Sequence, residues 1–278
     1  MVIKMYYNDN INNNDFSSNN FRDNRRLYLM ILTYFAVFFV GALFISTFFI
    51  FIYALITNQS INDLFTQNRE LVESASLFVN SWTNFTSYLI GTIIIVILGL
   101  RFFKNDLKKL NQDFFKYVIL GIGLNFLAGF VSNIINEILK IQGETTNQEA
   151  INKLVQSPYL PLMIITTIVF APFVEELIFR KVLCEVIEQK KYLPSWFIII
   201  LSGFLFASIH VIIPMISALI GGNGIWSAFS EFLYIIPYLT MGIALSYVYY
   251  RSNKNIWVVI TIHAINNIFA LLITLFYL

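Results

Sequence analysis

Charge is what this chain has least of: 12% of its 278 residues are charged, against 58% hydrophobic and 17% aromatic, and its mean hydropathy is +0.70. An average soluble domain carries about 25% charged residues, so the scarcity excludes water as the main solvent. The single Cys184 excludes an intramolecular disulfide and any multi-cysteine metal cluster, and reads as a small apolar filler. A formal net charge of +2, with lysines scattered at the ends of apolar runs, leaves no basic face with stacking partners, so no nucleic acid partner is expected. No internal repeat suggests the inverted halves of a transporter.

What is present is apolar length. Runs at about 27–57, 82–103, 114–139, 159–189, 195–219, 228–250 and 256–278 each offer the roughly 20 residues that cross a bilayer. They predict an all-α, polytopic membrane helix bundle of about seven transmembrane helices, with lipid as its surroundings. The first run is too long and too far from the start for a cleaved signal peptide. Residues 1–26, rich in Asn and Asp, read as a disordered cytoplasmic tail, 27–157 as N-terminal membrane helices, and 158–278 as the part that carries the chemistry. Alternate threading gathers Lys4, Arg22, Arg25, Arg26, Arg101, Lys104, Lys108, Lys109, Lys181, Lys190, Lys191, Arg251 and Lys254 on one side and leaves Arg69, Lys140 and Lys153 on the other. By the positive-inside rule the N-terminus is then cytoplasmic, and Gly221, Gly222, Asn223 and Gly224 form an outer turn.

Ionisable groups deep in hydrocarbon are costly and mark function by default. In the fourth run, Glu175 and Glu176 are followed by Arg180; the fifth holds Phe206 and His210; the seventh holds His263 and Asn267. At about 100° per residue, Arg180 falls about 40° from Glu176 and about 140° from Glu175. Glu176 is therefore the expected ion-pair partner, and Glu175, left without a cation, is placed to act as a general base. His263 and Asn267 share a helix face by the same i, i+4 spacing. Glu175 stands fifteen residues before Lys190 and His210 fifteen after Ser195, so on antiparallel helices both lie about 22 Å from the intervening turn. Each group also has a plainer reading. A membrane histidine is as readily a helix-to-helix hydrogen-bond partner, Glu176 with Arg180 is a structural pair, and Phe206 is packing that fixes an imidazole. The coincidence of an unpaired glutamate, two histidines and an asparagine on three spans favours a site.

These residues resemble the three signature motifs of the CAAX-protease and bacteriocin-processing family of intramembrane proteases, called CPBP or Abi. The pattern is a double glutamate with arginine four after the second, then Phe-x-x-x-His, then His-x-x-x-Asn. Here it reads Glu175, Glu176 and Arg180, then Phe206 and His210, then His263 and Asn267, over roughly residues 158–278. The resemblance implies that Glu175 and His210 activate a water for attack on a peptide carbonyl while His263 and Asn267 stabilise the oxyanion. It also implies a peptide or membrane-protein substrate, with peptide maturation or bacteriocin self-immunity as roles in bacterial relatives. The Asn- and Ile-rich composition with short loops points to a bacterial cell membrane. No cofactor is required by the sequence; zinc on Glu175, His210 and His263 is possible chemistry, although no His-Glu-x-x-His motif demands it.

Two readings from other classes compete. One is a non-catalytic immunity or scaffold protein that binds a peptide without cutting it; the other is a proton-coupled transporter using Glu175 and the histidines as a relay. A cavity around the site is expected to open toward the basic, cytoplasmic side, because Arg180 needs solvent or a partner.

Overall fold

A computed structural model describes residues 13–66, 69–110, 113–141, 146–189, 192–221 and 224–277. Among the described residues there is no strand, and seven helices are long and apolar enough to cross a membrane. We label the main helices α1 (Asn24–Thr57), α2 (Arg69–Leu107), α3 (Asp113–Ile138), α4 (Thr146–Val155), α5 (Leu160–Glu188), α6 (Ser195–Ile220), α7 (Gly224–Arg251) and α8 (Ile256–Phe276). All but α4 are the membrane-length helices, and the chain is an integral membrane protein. They run up and down, so the ends of α2, α5 and α7 meet the starts of α1, α3, α6 and α8 at one end of the bundle. Arg25, Arg26, Arg101, Lys104, Lys108, Arg251 and Lys254 crowd this basic end.

Three departures from the sequence reading have physical causes. Helix begins at Asn13, inside the segment read as a disordered tail, while residues 1–12 lie outside the described ones. Once the apolar run is helical, each added turn avoids the cost of a new nucleus. Helix α2 starts at Arg69 rather than near 82, because its polar first turns still present Ala75, Phe78 and Val79, at helical spacing, to Tyr53, Ala54 and Leu64. Helix α4 was not anticipated; its Leu154 and Ile151 pack on Met163 and Leu271. In the expected outer turn Gly224 takes φ +84°, a conformation that suits glycine, while Gly222 and Asn223 lie outside the described residues.

The interior is gathered around α5. Its window is the most buried of the seven spans, whereas Phe44, Phe48, Leu55, Phe115 and Ile119 face outward, as lipid contact requires. Helices α6 and α7 touch backbone to backbone: a Cβ on Gly203 would stand 2.7 Å from Ile243 N, and one on Gly242 2.9 Å from Gly203 O. Small residues permit this approach in a membrane, where van der Waals packing and interhelical hydrogen bonds drive association. Ser246 Oγ then donates to Ser202 Oγ at 3.1 Å, and Ser202 Oγ to Phe179 O at 2.8 Å. This chain of contacts ties α7 to α6 and α6 to α5, and so fixes the height of Phe206 and His210 against the two glutamates. At the basic end Asp106, buried, accepts from Ile256 N at 3.2 Å and pairs with Lys109 at 2.7 Å. It caps the start of α8 and sets where His263 stands.

Candidate active site

Glu175 and Glu176 occupy a short α-helical stretch, Ala171–Glu176, between two π-helical stretches, Thr166–Phe170 and Leu177–Val182. Pro172 explains the first. It has no N–H to give to a carbonyl four or five residues back, and its ring crowds the turn before it. Ala171 N–H reaches back five residues to Thr166 O, which leaves Thr167 O with no helical donor from either Ala171 or Pro172. Asn267 Nδ2 supplies one, at 2.7 Å. In the second stretch Leu183 N–H goes to Ile178 O, and the Phe179 carbonyl accepts from Ser202 instead. Each π turn thus gives a neighbouring helix a main-chain acceptor, and single π turns of this kind recur at functional sites.

Between them the glutamates diverge as their spacing predicts. Arg180 Nε lies 3.1 Å from Glu176 Oε2, both side chains fully buried; the contact is an ion pair without the alignment of a hydrogen bond. The guanidinium carbon sits 4.6 Å from the Phe206 ring centroid, and among the described residues no acceptor meets its Nη1 or Nη2. The aromatic face is therefore the second partner of the cation. Glu176 Oε1 also holds His263 Nδ1 at 2.8 Å. Glu175 points elsewhere: Oε1 accepts the Tyr88 hydroxyl at 2.6 Å, and Oε2 lies 3.9 Å from His263 Nε2.

His210 lies flat on Tyr238, with ring centroids 4.4 Å apart and planes 22° from parallel. Phe206 presents its edge or face to both histidines, at 4.9 Å from His210 and 5.9 Å from His263. Glu175, His210, His263 and Asn267 all line one cavity of about 350 Å³, together with Tyr88, Tyr238, Asn84 and Asn266. All four residues singled out in sequence are therefore brought to one space, and Glu176 and Arg180 stand behind it. Ser208 turns its hydroxyl to Phe204 O and Cys184 is fully buried, so neither faces the cavity.

Tyr88 and Tyr238 are the residues sequence reasoning missed. A tyrosine among fifteen in an aromatic-rich chain carries no spacing signal. Pro172 did carry one, since a proline inside a predicted span announces local rearrangement.

The direction of the cavity corrects the expectation. Its walls come from the halves of the helices away from the basic end: Asn84 and Tyr88 of α2, Thr166 and Thr167 of α5, Ala270 and Thr274 of α8, with Ile151 and Leu154 of α4. On the basic side of Glu175 the space is filled by Leu177, Ile178, Leu245, Val259 and Ile262. Arg180 finds Glu176 and Phe206 inside the bundle, so it needs no channel to solvent. As for a metal, no group of three or more His, Cys, Asp or Glu side chains among the described residues is placed to hold one. The set Glu175, His210 and His263 does not fit zinc as arranged.

The model of the type II CAAX prenyl endopeptidase Rce1-like family matches residues 157–269. The match supports the CPBP family for that segment, which is less than half of the chain. The matched segment takes in α5, α6, α7 and α8 as far as Phe269, and hence all three motifs, but not Tyr88. Over 192 residues the chain is 29% identical to a protein of Bacillus subtilis (strain 168) described as "Putative membrane peptidase YdiL", covering 67% of this chain and 69% of that one. No solved structure matches the chain. The family match and this relative together support a membrane protease.

Proposed function

We propose that the chain is an intramembrane endopeptidase that hydrolyses a peptide bond with a water activated by Glu175 and His210. The observation that carries this reading is the convergence of Glu175, His210, His263 and Asn267 on one cavity, with the Glu176–Arg180 pair held out of it. Glu175 Oε1 is occupied by Tyr88, which leaves Oε2 as the base. The 3.9 Å from Oε2 to His263 Nε2 is too long for a direct hydrogen bond and lets one water touch both.

Water oxygen attacks the carbonyl carbon and its proton passes to Glu175. The carbonyl oxygen becomes an oxyanion, to which the second Nδ2–H of Asn267 donates; His263 joins it as a donor in the doubly protonated form, with Nδ1–H on Glu176 and Nε2–H on the oxyanion, and collapse breaks the C–N bond as Glu175 returns the proton to the leaving amine. His210, held by Tyr238 and Phe206, orients the water. Glu176 fixes the His263 ring through Nδ1, so that Nε2 is the nitrogen facing the reaction. Tyr88 positions the Glu175 carboxylate. Apart from Glu175 and the histidines the cavity has no charged side chain among the described residues, which suits an uncharged segment of a peptide or membrane protein.

The test is hydrolysis of membrane-inserted reporter peptides by the protein in lipid vesicles, run in heavy-oxygen water. Wild type should place one heavy oxygen in each new carboxylate, and Glu175→Gln and His210→Ala should form no product while remaining folded. A Glu175→Gln protein that still performs its cellular task would leave a scaffold that binds without cutting.

A further inference from the structure

The cavity and the charges lie at opposite ends of the bundle, and their combination says where the substrate comes from. On the basic end, Arg25, Arg26, Arg101, Lys104, Lys108 and Lys254 are joined by Lys116 and Arg251; the other end has Arg69, Lys140 and Lys153. A bias of this size in short loops next to membrane helices places the basic end in the cytoplasm. The cavity runs from Glu175 to the end with few basic residues, between the first half of α2, the first half of α5 and the second half of α8.

Toward the cytoplasm the way is shut twice. Leu177, Ile178 and Val259 pack directly behind the glutamates. Beyond them Lys181, itself buried, bridges Asp106 at 3.5 Å and Glu185 at 2.8 Å, and Asp106 caps α8. Opening that end would break the buried Lys181–Asp106 pair, which is costly to separate. Among the described residues the opposite end is covered by α4, a helix of ten residues whose Ile151 and Leu154 lean on the cavity and which is tied to α8 by Gln148 Nε2 donating to Thr274 Oγ1 at 3.2 Å.

We infer that the peptide segment this site takes lies at the non-cytoplasmic face of the membrane and enters beside α4, as an uncharged stretch of chain. The volume, about 350 Å³, is at the small end of the roughly 300–1,000 Å³ range of ligand pockets and suits a short extended segment rather than a folded domain. The inference rests on the peptidase reading for what is cut; the side of entry stands on the cavity and the charges alone.

Thiol labelling in intact cells tests it, and Cys184, fully buried, makes the natural chain the blank. Three single variants are treated with a membrane-impermeant charged thiol reagent. Ser60→Cys sits on the turn at the cavity end, Lys108→Cys at the basic end, and Asn84→Cys on the cavity wall one turn above Tyr88. Ser60→Cys and Asn84→Cys should be modified in intact cells, and Lys108→Cys only after the cells are permeabilised. Modification of Lys108→Cys in intact cells, or of Asn84→Cys only after permeabilisation, would overturn the inference. Expected labelling together with a hydrolytically active Glu175→Gln protein would keep the entry side and sink the peptidase mechanism, so the two failures are told apart.

Discussion

Tyr88 and Glu175 meet at 2.6 Å across 87 positions of chain, and the contact joins the part of the molecule that matches the CPBP family to the part that does not. A hydrogen bond to a charged group contributes about 1.5–3 kcal/mol, and 1.36 kcal/mol is tenfold in rate. Tyr88→Phe should therefore lower kcat by about ten- to a hundredfold with KM nearly unchanged, since the ring still packs and only the carboxylate is released. Steady-state kinetics on a vesicle-inserted reporter separate this from a packing role, which would move KM and stability together. Glu175→Gln should cost at least about a hundredfold in kcat, the lower range for loss of a general base. Arg180→Ala acts differently. It takes the cation from buried Glu176, a loss that costs about 3–5 kcal/mol, so the protein in detergent should unfold at a clearly lower temperature; a variant as stable as wild type would show that His263 alone satisfies that carboxylate. The Glu176–Arg180 pair was legible from spacing alone because both lie on one helix. Tyr88 was not, because nothing in a sequence says which of fifteen tyrosines faces a carboxylate on another span.

Helices α5, α6 and α8 do not place the site by length and apolarity, which every span shares, but by departures from the regular helix. Pro172 is one: it frees Thr167 O for Asn267. Pro172→Ala restores an N–H that competes with Asn267 for main-chain acceptors, so activity should fall while the unfolding temperature holds or rises; an active Pro172→Ala protein would show that the π turn does not position Asn267. The contact of Gly203 with Gly242 is another. A valine at 242 would thrust its Cβ against Gly203 O at 2.9 Å, and overpacking of that kind costs about 1–3 kcal/mol. Gly242→Val should push α6 and α7 apart, reduce activity and lower the unfolding temperature, which calorimetry and the reporter assay together would reveal. The seven spans were readable from the sequence to within a few residues at most ends, since hydropathy reports burial in lipid directly. The start of α2 and the whole of α4 were not, because their apolar faces are narrow and look outward from the apolar runs, onto partners that only the fold supplies.

Across the whole molecule, fixed charge and cavity are segregated. The wall near α4 is neutral, so Leu154→Glu should raise KM for an uncharged reporter by about the tenfold that one poorly solvated charge brings, with kcat little altered; an unchanged KM would place the substrate path elsewhere. The architecture as a helix bundle in a membrane was legible from composition, and the motif residues from their rarity at depth. The direction of the cavity was not. It depends on Arg180 being satisfied by Glu176 and the face of Phe206 rather than by water, and a linear pattern of residues does not record how a cation is solvated. The π turn at Thr166–Phe170 carries one more consequence. A π turn absorbs about one residue more than a regular turn while the helix on either side keeps its facing, so loss of a single apolar residue from it would let the span close into regular helix with Glu175 still turned to the cavity. The same loss from the regular stretch just after it would swing Glu175 by about 100°. That shortened span would keep its hydropathy, its charges and its three motifs intact in every comparison of letters, and would present its glutamate to a wall.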